Sequence, residues 1–176
     1  MPSAASPEHP SSAPLLSFQA PEESEMWRTV NDTVMGGRSN GGRAIENGEL
    51  VFSGTINTNG GGFSSVRREM EPGALDGATA FVLHLKSDGR DYRLIARTDE
   101  EFRGRSVSYQ APIPQSPAGE WTSVRVPFSE FAPGVFGRDV PAAPFAPEEL
   151  NELGFIIADG VDGAFSLSVR SIGLER

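Results

Sequence analysis

The chain has 176 residues, with 15 Lys or Arg against 24 Asp or Glu, and a formal net charge of −9. That length supports one ordinary domain with a core of its own, and a hydrophobic share of 38% with a charged share of 22% excludes collagen, coiled coil and wholesale disorder. Cysteine is absent, which removes disulfide frameworks, thiolate metal sites, iron–sulfur clusters and cysteine nucleophiles together.

Residues 1–17 open on Ser, Pro and Ala with few bulky apolar groups, and are expected to be a disordered leader ahead of a folded domain over residues 18–176. Glu8, Glu22, Glu23 and Glu25 precede Arg28, the first basic residue, so residues 1–25 carry −4 and the remainder −5. A domain of that sign repels a phosphate backbone, and nucleic acid is not an expected partner. The start of the chain shows neither the positive beginning and apolar run of a secretory signal nor the arginine-rich, acid-free composition of a mitochondrial presequence. No stretch approaches the ~20 apolar residues of a membrane span. The expected compartment is a cytoplasm, and a bacterial one.

From Trp27 onward short strands are punctuated by glycine and proline. Asn47-Gly48 between Ala44-Ile45-Glu46 and Glu49-Leu50-Val51-Phe52 reads as a two-residue hairpin, because this pair tolerates the positive φ of a type I′ turn. Strands are then expected over 63–68, 80–86, 92–97, 107–113, 121–128, 153–158 and 165–171. Tyr92, Leu94 and Ala96 alternate with Arg93 and Arg97; Phe165, Leu167 and Val169 alternate with Ser166, Ser168 and Arg170, as half-buried antiparallel strands do. Ser87-Asp88-Gly89-Arg90 and Asp159 to Gly163 read as hairpin joins. Residues 128–152 form a long Pro-rich crossing with a helix start at Pro147. About nine strands without alternating helices predict an all-β jelly-roll sandwich.

Several motifs fail on their context. Gly37-Arg38-Ser39-Asn40-Gly41 fits the hydrolase G-x-S-x-G pattern, but that elbow needs a following helix and a histidine for the serine proton. Here more glycine follows, and the two histidines are His9 in the leader and His84 in mid-strand. His84 shares a face with Val82 and Lys86, opposite Phe81, Leu83 and Leu85, and has no His or Cys neighbour in sequence with which to bind metal. Asn59-Gly60-Gly61-Gly62 lacks the Lys and the helix of a phosphate loop, and reads as a bend where chain passes close to chain. No catalytic residue, metal or cofactor is expected.

A more specific cluster runs from Trp27 to Ser39. Its Asn31 and Asp32, if buried, must find hydrogen-bond partners, and Arg67 on a neighbouring predicted strand is the one expected. Together with Phe52-Ser53-Gly54, Asn59 to Arg67, Gly89 to Leu94, Trp121 to Phe128, Leu153 to Asp159 and Gly163 to Leu167, the V-N-D-x-V-M-G-G-R-S run resembles the complex I intermediate-associated protein 30 (CIA30) family over nearly all of residues 18–174. The resemblance implies a galactose-binding-like jelly roll, similar to carbohydrate-binding modules, and a chaperone-like assembly role rather than an enzymatic one. The expected function is therefore a non-catalytic protein-binding module, with respiratory-complex subunits or intermediates among its partners. The alternative is carbohydrate binding, with Trp27, Tyr92, Tyr109 and Trp121 as stacking candidates. The expected recognition residues are Asn31, Asp32, Met35 and Arg67 at the signature, with Tyr92, Arg93 and Arg97 as a sheet-face patch.

Overall fold

The apolar alternations fold as thirteen strands among residues 14–176, the part of the chain that the structure, a computed structural model, describes. They are β1 (Leu16–Ser17), β2 (Trp27–Asn31), β3 (Asn40–Glu46), β4 (Glu49–Ile56), β5 (Ser64–Glu69), β6 (Ala80–Ser87), β7 (Tyr92–Phe102), β8 (Arg105–Pro112), β9 (Trp121–Pro127), β10 (Ala132–Val135), β11 (Arg138–Asp139), β12 (Glu152–Ile157) and β13 (Gly163–Glu175). One sheet has the order β3-β4-β13-β6-β9, with β1 also paired to β13; the other, seven-stranded, runs β11-β10-β8-β7-β12-β5-β2. All pairings among the described residues are antiparallel. This is the all-β sandwich expected from the strand pattern.

The core lies between the two sheets and is filled by one parity of each strand. Phe81, Leu83 and Leu85 point inward from β6, Leu167 and Val169 from β13, Leu94 and Ala96 from β7, and Leu153, Phe155 and Ile157 from β12. Burying each of the larger side chains contributes about 1.5–3 kcal/mol. Phe52 and Phe165 meet edge to face at 4.9 Å, with Tyr92 packed against both. His84 stands on the opposite parity of β6, as its register predicts, and its ring stacks on Trp121 at 5.5 Å.

The hairpin at Asn47-Gly48 forms as expected: both residues take positive φ (54° and 75°), and Glu46 pairs with Glu49. The other two polar joins are not hairpins. Residues 88–91 carry the chain from β6 in one sheet to β7 in the other, and residues 158–162 carry it back from β12 to β13. Turn chemistry announces a reversal but does not say whether the next strand pairs with the last or crosses to the facing sheet. Arg90 ties the two crossings together. Its Nε and Nη2 donate to the two carboxylate oxygens of Asp159 at 2.9 and 2.7 Å, and its Nη1 donates to the carbonyls of Gly163 and Ala164.

Two further differences concern the ends of the prediction. Leu16–Ser17 pairs with Ile172 and Ser171, and Leu16 and Phe18 are buried, so the sheet takes in the last residues of the segment assigned to the leader. Most of that segment, residues 1–13, lies outside the described residues. The Pro-rich crossing contains the short strands β10 and β11, and its helix start is a single 3₁₀ turn, Pro147–Glu149. Phe145 packs on Phe131 at 4.8 Å and Tyr109 donates to the Ala143 carbonyl at 2.7 Å, which holds the irregular stretch between β11 and that turn against the sandwich.

Candidate functional site: the outer face of the seven-stranded sheet

Two regions hold the polar residues singled out in the sequence, and they differ in what their hydrogen bonds leave over. The first is the signature loop. The chain leaves β2 into a 3₁₀ turn, Asp32–Met35, that ends on Gly36 at φ +86°. The Asp32 carboxylate is completely buried. Its Oδ1 accepts from the Ser39 amide at 2.9 Å, and its Oδ2 from the amides of Gly62 and Phe63 at 2.6 and 3.2 Å. Burial pushes this carboxyl up, but those bonds from Ser39, Gly62 and Phe63 outweigh it and hold the group below the ordinary value of 3.8.

The glycines of both flanking segments follow from this carboxylate. A Cβ on Gly37 would lie 2.4 Å from the Asp32 carboxyl carbon, and one on Gly61 would lie 2.6 Å from its Oδ2. The predicted close approach at residues 59–62 is therefore real, and it is chain against the Asp32 side chain. Asn31 is used in the same way. Its Nδ2 donates to the Gly41 carbonyl at 3.1 Å and its Oδ1 accepts from Ser64 Oγ at 2.5 Å. Ser39 Oγ exchanges hydrogen bonds with the backbone of Asn57, and β3 rather than a helix follows it, so the G-x-S-x-G pattern carries no nucleophile elbow. Arg67 is not the partner of Asn31 or Asp32, contrary to expectation; backbone amides and Ser64 fill that role. Met35 contributes its backbone to the end of the 3₁₀ turn.

The second region is the solvent side of the seven-stranded sheet, built from the residues that alternate with the core. Register aligns Arg28 on β2 with Arg67 on β5, Arg67 with Gly154 on β12, and Gly154 with Ile95 on β7. One step along, Glu152 on β12 pairs with Glu69 on β5 and with Arg97 on β7; one step the other way, Ile156 pairs with Ser65 and with Arg93. Gly154 presents no side chain, and a Cβ there would lie 2.1 Å from the Val66 carbonyl. Arg67 and its neighbours surround that gap.

Three arginines converge on Glu152. Arg28 donates to its Oε2 from an exposed position. Arg67 Nη1 and Arg97 Nε each stand 3.8 Å from its Oε1, which is Coulombic contact without a hydrogen bond. Arg67 has 7% of its side chain exposed, Glu152 11% and Arg97 35%. Arg67 Nε donates to Ser65 Oγ at 3.0 Å. Glu152 Oε1 and Arg97 Nε are buried atoms without a hydrogen-bond partner. Burial first, and then the charge of Arg97, pull the Arg67 guanidinium down to about 10, partly offset by Glu152. Ile95 and Ile156 share this face, outside the inter-sheet core, and are still only 3% and 6% exposed.

Of the expected recognition residues, the fold thus brings Arg67, Arg93 and Arg97 to one face. It removes Tyr92 from that patch: period-two alternation sends Tyr92 into the core, 3% exposed, where its hydroxyl donates to Asp88 at 3.1 Å. Burial and the Asp88 charge push its pKa up. Arg28 and Glu152 were not anticipated. Arg28 was readable as the residue between inward Trp27 and the signature, but Glu152 looked like one more surface acid, and its pairing spans 124 positions. Among the described residues no group of His, Asp or Glu is placed to hold a metal ion, and no helix is long and apolar enough to cross a membrane.

Comparison with known proteins places this geometry. Mouse "Complex I intermediate-associated protein 30, mitochondrial" is 25% identical over 178 aligned residues, covering 89% of this chain and 54% of the mouse protein, so the chain spans about half the length of that relative. Among solved structures, a family 11 carbohydrate-binding module from Clostridium thermocellum in complex with a β-1,3-1,4-mixed-linked tetrasaccharide superposes with a TM-score of 0.57 at 16% identity, over 86% of this chain and 91% of that one. A non-crystalline-cellulose-specific module, CBM28, gives 0.52 at 11% identity over the full length of both. At such identities the likeness is one of fold. The family profile for Complex I intermediate-associated protein 30 (CIA30) matches residues 16–169, and with it the signature loop, both sheets and the arginine face: this chain belongs to the CIA30 family.

Proposed function

We propose that this chain is a non-catalytic, assembly-type protein-interaction module that receives its partner on the outer face of the seven-stranded sheet. The observation that carries the reading is the gathering of Arg28, Arg67 and Arg97 about one carboxylate on an outer sheet face, with Arg28 and Arg97 still reaching solvent. Guanidinium donors turned to solvent are free to pair with groups on a docking partner. The name of the mouse relative supports a protein partner, with subunits or intermediates of a respiratory complex as the first to try. Carbohydrate is less well served. Three of the four stacking candidates, Trp27, Tyr92 and Tyr109, are in the core, and Trp121 already has the Arg170 guanidinium 3.8 Å from its ring centre.

Photo-crosslinking in the native cell tests the proposal. A crosslinker at Glu69, an exposed position on β5 that pairs with Glu152 on the arginine face, is expected to capture a discrete protein, whereas one at Ser123, exposed beside His84 on the outer face of the other sheet, captures none. Capture only from Ser123, or only glycan binding by the purified protein, overturns it.

A further inference from the structure

We propose, resting on that docking reading, that the arginine face accepts an acidic protein segment, whose carboxylates pair with the solvent-reaching guanidinium groups of Arg28, Arg93 and Arg97. The charge is local and opposite to that of the chain. Four guanidiniums, Arg28, Arg67, Arg93 and Arg97, surround two carboxylates, Glu152 and Glu69, at the centre of one sheet surface, with Asp99 and Glu101 further along β7, while the whole molecule carries −9. The centre of this face therefore carries more cations than anions, a local balance that favours an anionic group there.

Glu152 is placed to hold the arginines in position without satisfying them. Its Oε2 is taken by Arg28, and its Oε1 sits 3.8 Å from both Arg67 Nη1 and Arg97 Nε, beyond hydrogen-bond range. One internal carboxylate thus fixes three planar donor forks. Such a fork matches an incoming carboxylate in two parallel hydrogen bonds. Arg93 lies two register steps from Arg97 on the same strand and face, across Ile95, so the donors extend along β7 rather than converging on a single pocket. A linear run of side-chain carboxylates fits that layout. A nucleic acid strand offers phosphates at a similar spacing, but no aromatic ring stands among these arginines for base stacking: the apolar residues between them are Ile95 and Ile156.

The test uses the whole protein with three labelled probes, octaglutamate, octalysine and oligoadenylate, followed by fluorescence anisotropy at low salt. Octaglutamate is expected to bind in a way that depends on these arginines, and any octalysine binding, driven by the net negative charge, is expected not to. Octaglutamate binding should weaken about tenfold in Arg97→Gln and again in Arg93→Gln, recover in part in Arg97→Lys, and fall as salt rises. His84→Gln on the opposite sheet should bind as the natural protein does. Because Arg93 and Arg97 are exposed or half-buried, these variants keep their melting temperature, and Arg67 is left untouched to avoid a folding defect. Absence of octaglutamate binding, binding unchanged in both arginine variants, or oligoadenylate bound more tightly with the same arginine dependence each overturns the inference. Crosslinking from Glu69 without octaglutamate binding discards the acidic partner and leaves the docking face standing; octaglutamate binding without any crosslink overturns the docking reading and the inference with it.

Discussion

The Asp32 loop and the Glu152 face each bury a carboxylate on the same seven-stranded half of the molecule, yet they are built in opposite ways. Asp32 accepts three backbone amides and pairs with no cation; Glu152 is pressed by three cations and leaves one oxygen without a hydrogen bond. The first arrangement is closed. Amides from residues 39, 62 and 63 stitch two loops to the end of β2, and the glycines around them exist to let the backbone reach the acid. The second keeps the Arg28 and Arg97 guanidiniums at the solvent edge of a buried carboxylate, where the proposed partner would meet them. The most conspicuous run in the sequence is thus a fastening, while the proposed docking surface is assembled from scattered residues.

Substitutions can break this contrast at either end. The largest effect is expected for Asp32→Ala, which strands three buried amides and should cost about 3–5 kcal/mol by chemical denaturation. Partner capture by whatever remains folded should survive. If the variant melts normally and loses capture instead, the loop is the recognition site and the contrast fails. Acid probes the same group. Because the folded state holds Asp32 ionised below its ordinary value, its contribution is complete above the unfolded pKa and is lost as pH falls through the folded one. In Asp32→Asn the acid limb of the stability curve should flatten, and an unchanged limb would mean that other carboxylates govern it.

Next in size is Gly61→Ala, whose methyl would enter the space of the Asp32 carboxylate and should cost about 1–3 kcal/mol, read as a lower melting temperature. Arg67→Met sharpens the other side. Removing one partner of a buried ion pair is destabilising, here eased because Arg28 and Arg97 remain on Glu152, so the variant should lose about 1–3 kcal/mol and crosslinking from Glu69 should be lost with it. A large destabilisation with capture intact would make Arg67 a structural residue. The smallest effect is expected for His84→Ala, which removes the ring stacked on Trp121: about 0.5–1 kcal/mol, and no change in capture.

Much of the fold was legible because a strand's period is local. Alternation placed Leu83 and Leu85 inward and His84 outward, and it separated Arg93 and Arg97 from Leu94 and Ala96. The same alternation excluded Tyr92 from the arginine patch, and the grouping of all three on one face ignored it. Asn47-Gly48 specified its turn because the two residues alone set the φ angles. The crossings at residues 88–91 and 158–162 were misread as hairpins for the complementary reason: which sheet receives the next strand is decided by packing many residues away.

By itself, then, the sequence determined the class of structure, the facing of most strands, the absence of thiol chemistry and the family to which the signature belongs, all of which depend on composition, short-range period or neighbouring residues. Only the tertiary structure decided what the polar residues do. Arg28 meets Glu152, and Asp32 meets the amides of Gly62 and Phe63, through strand pairings that bring together segments between 30 and 124 positions apart, and no local rule of propensity or turn chemistry encodes a contact at that range.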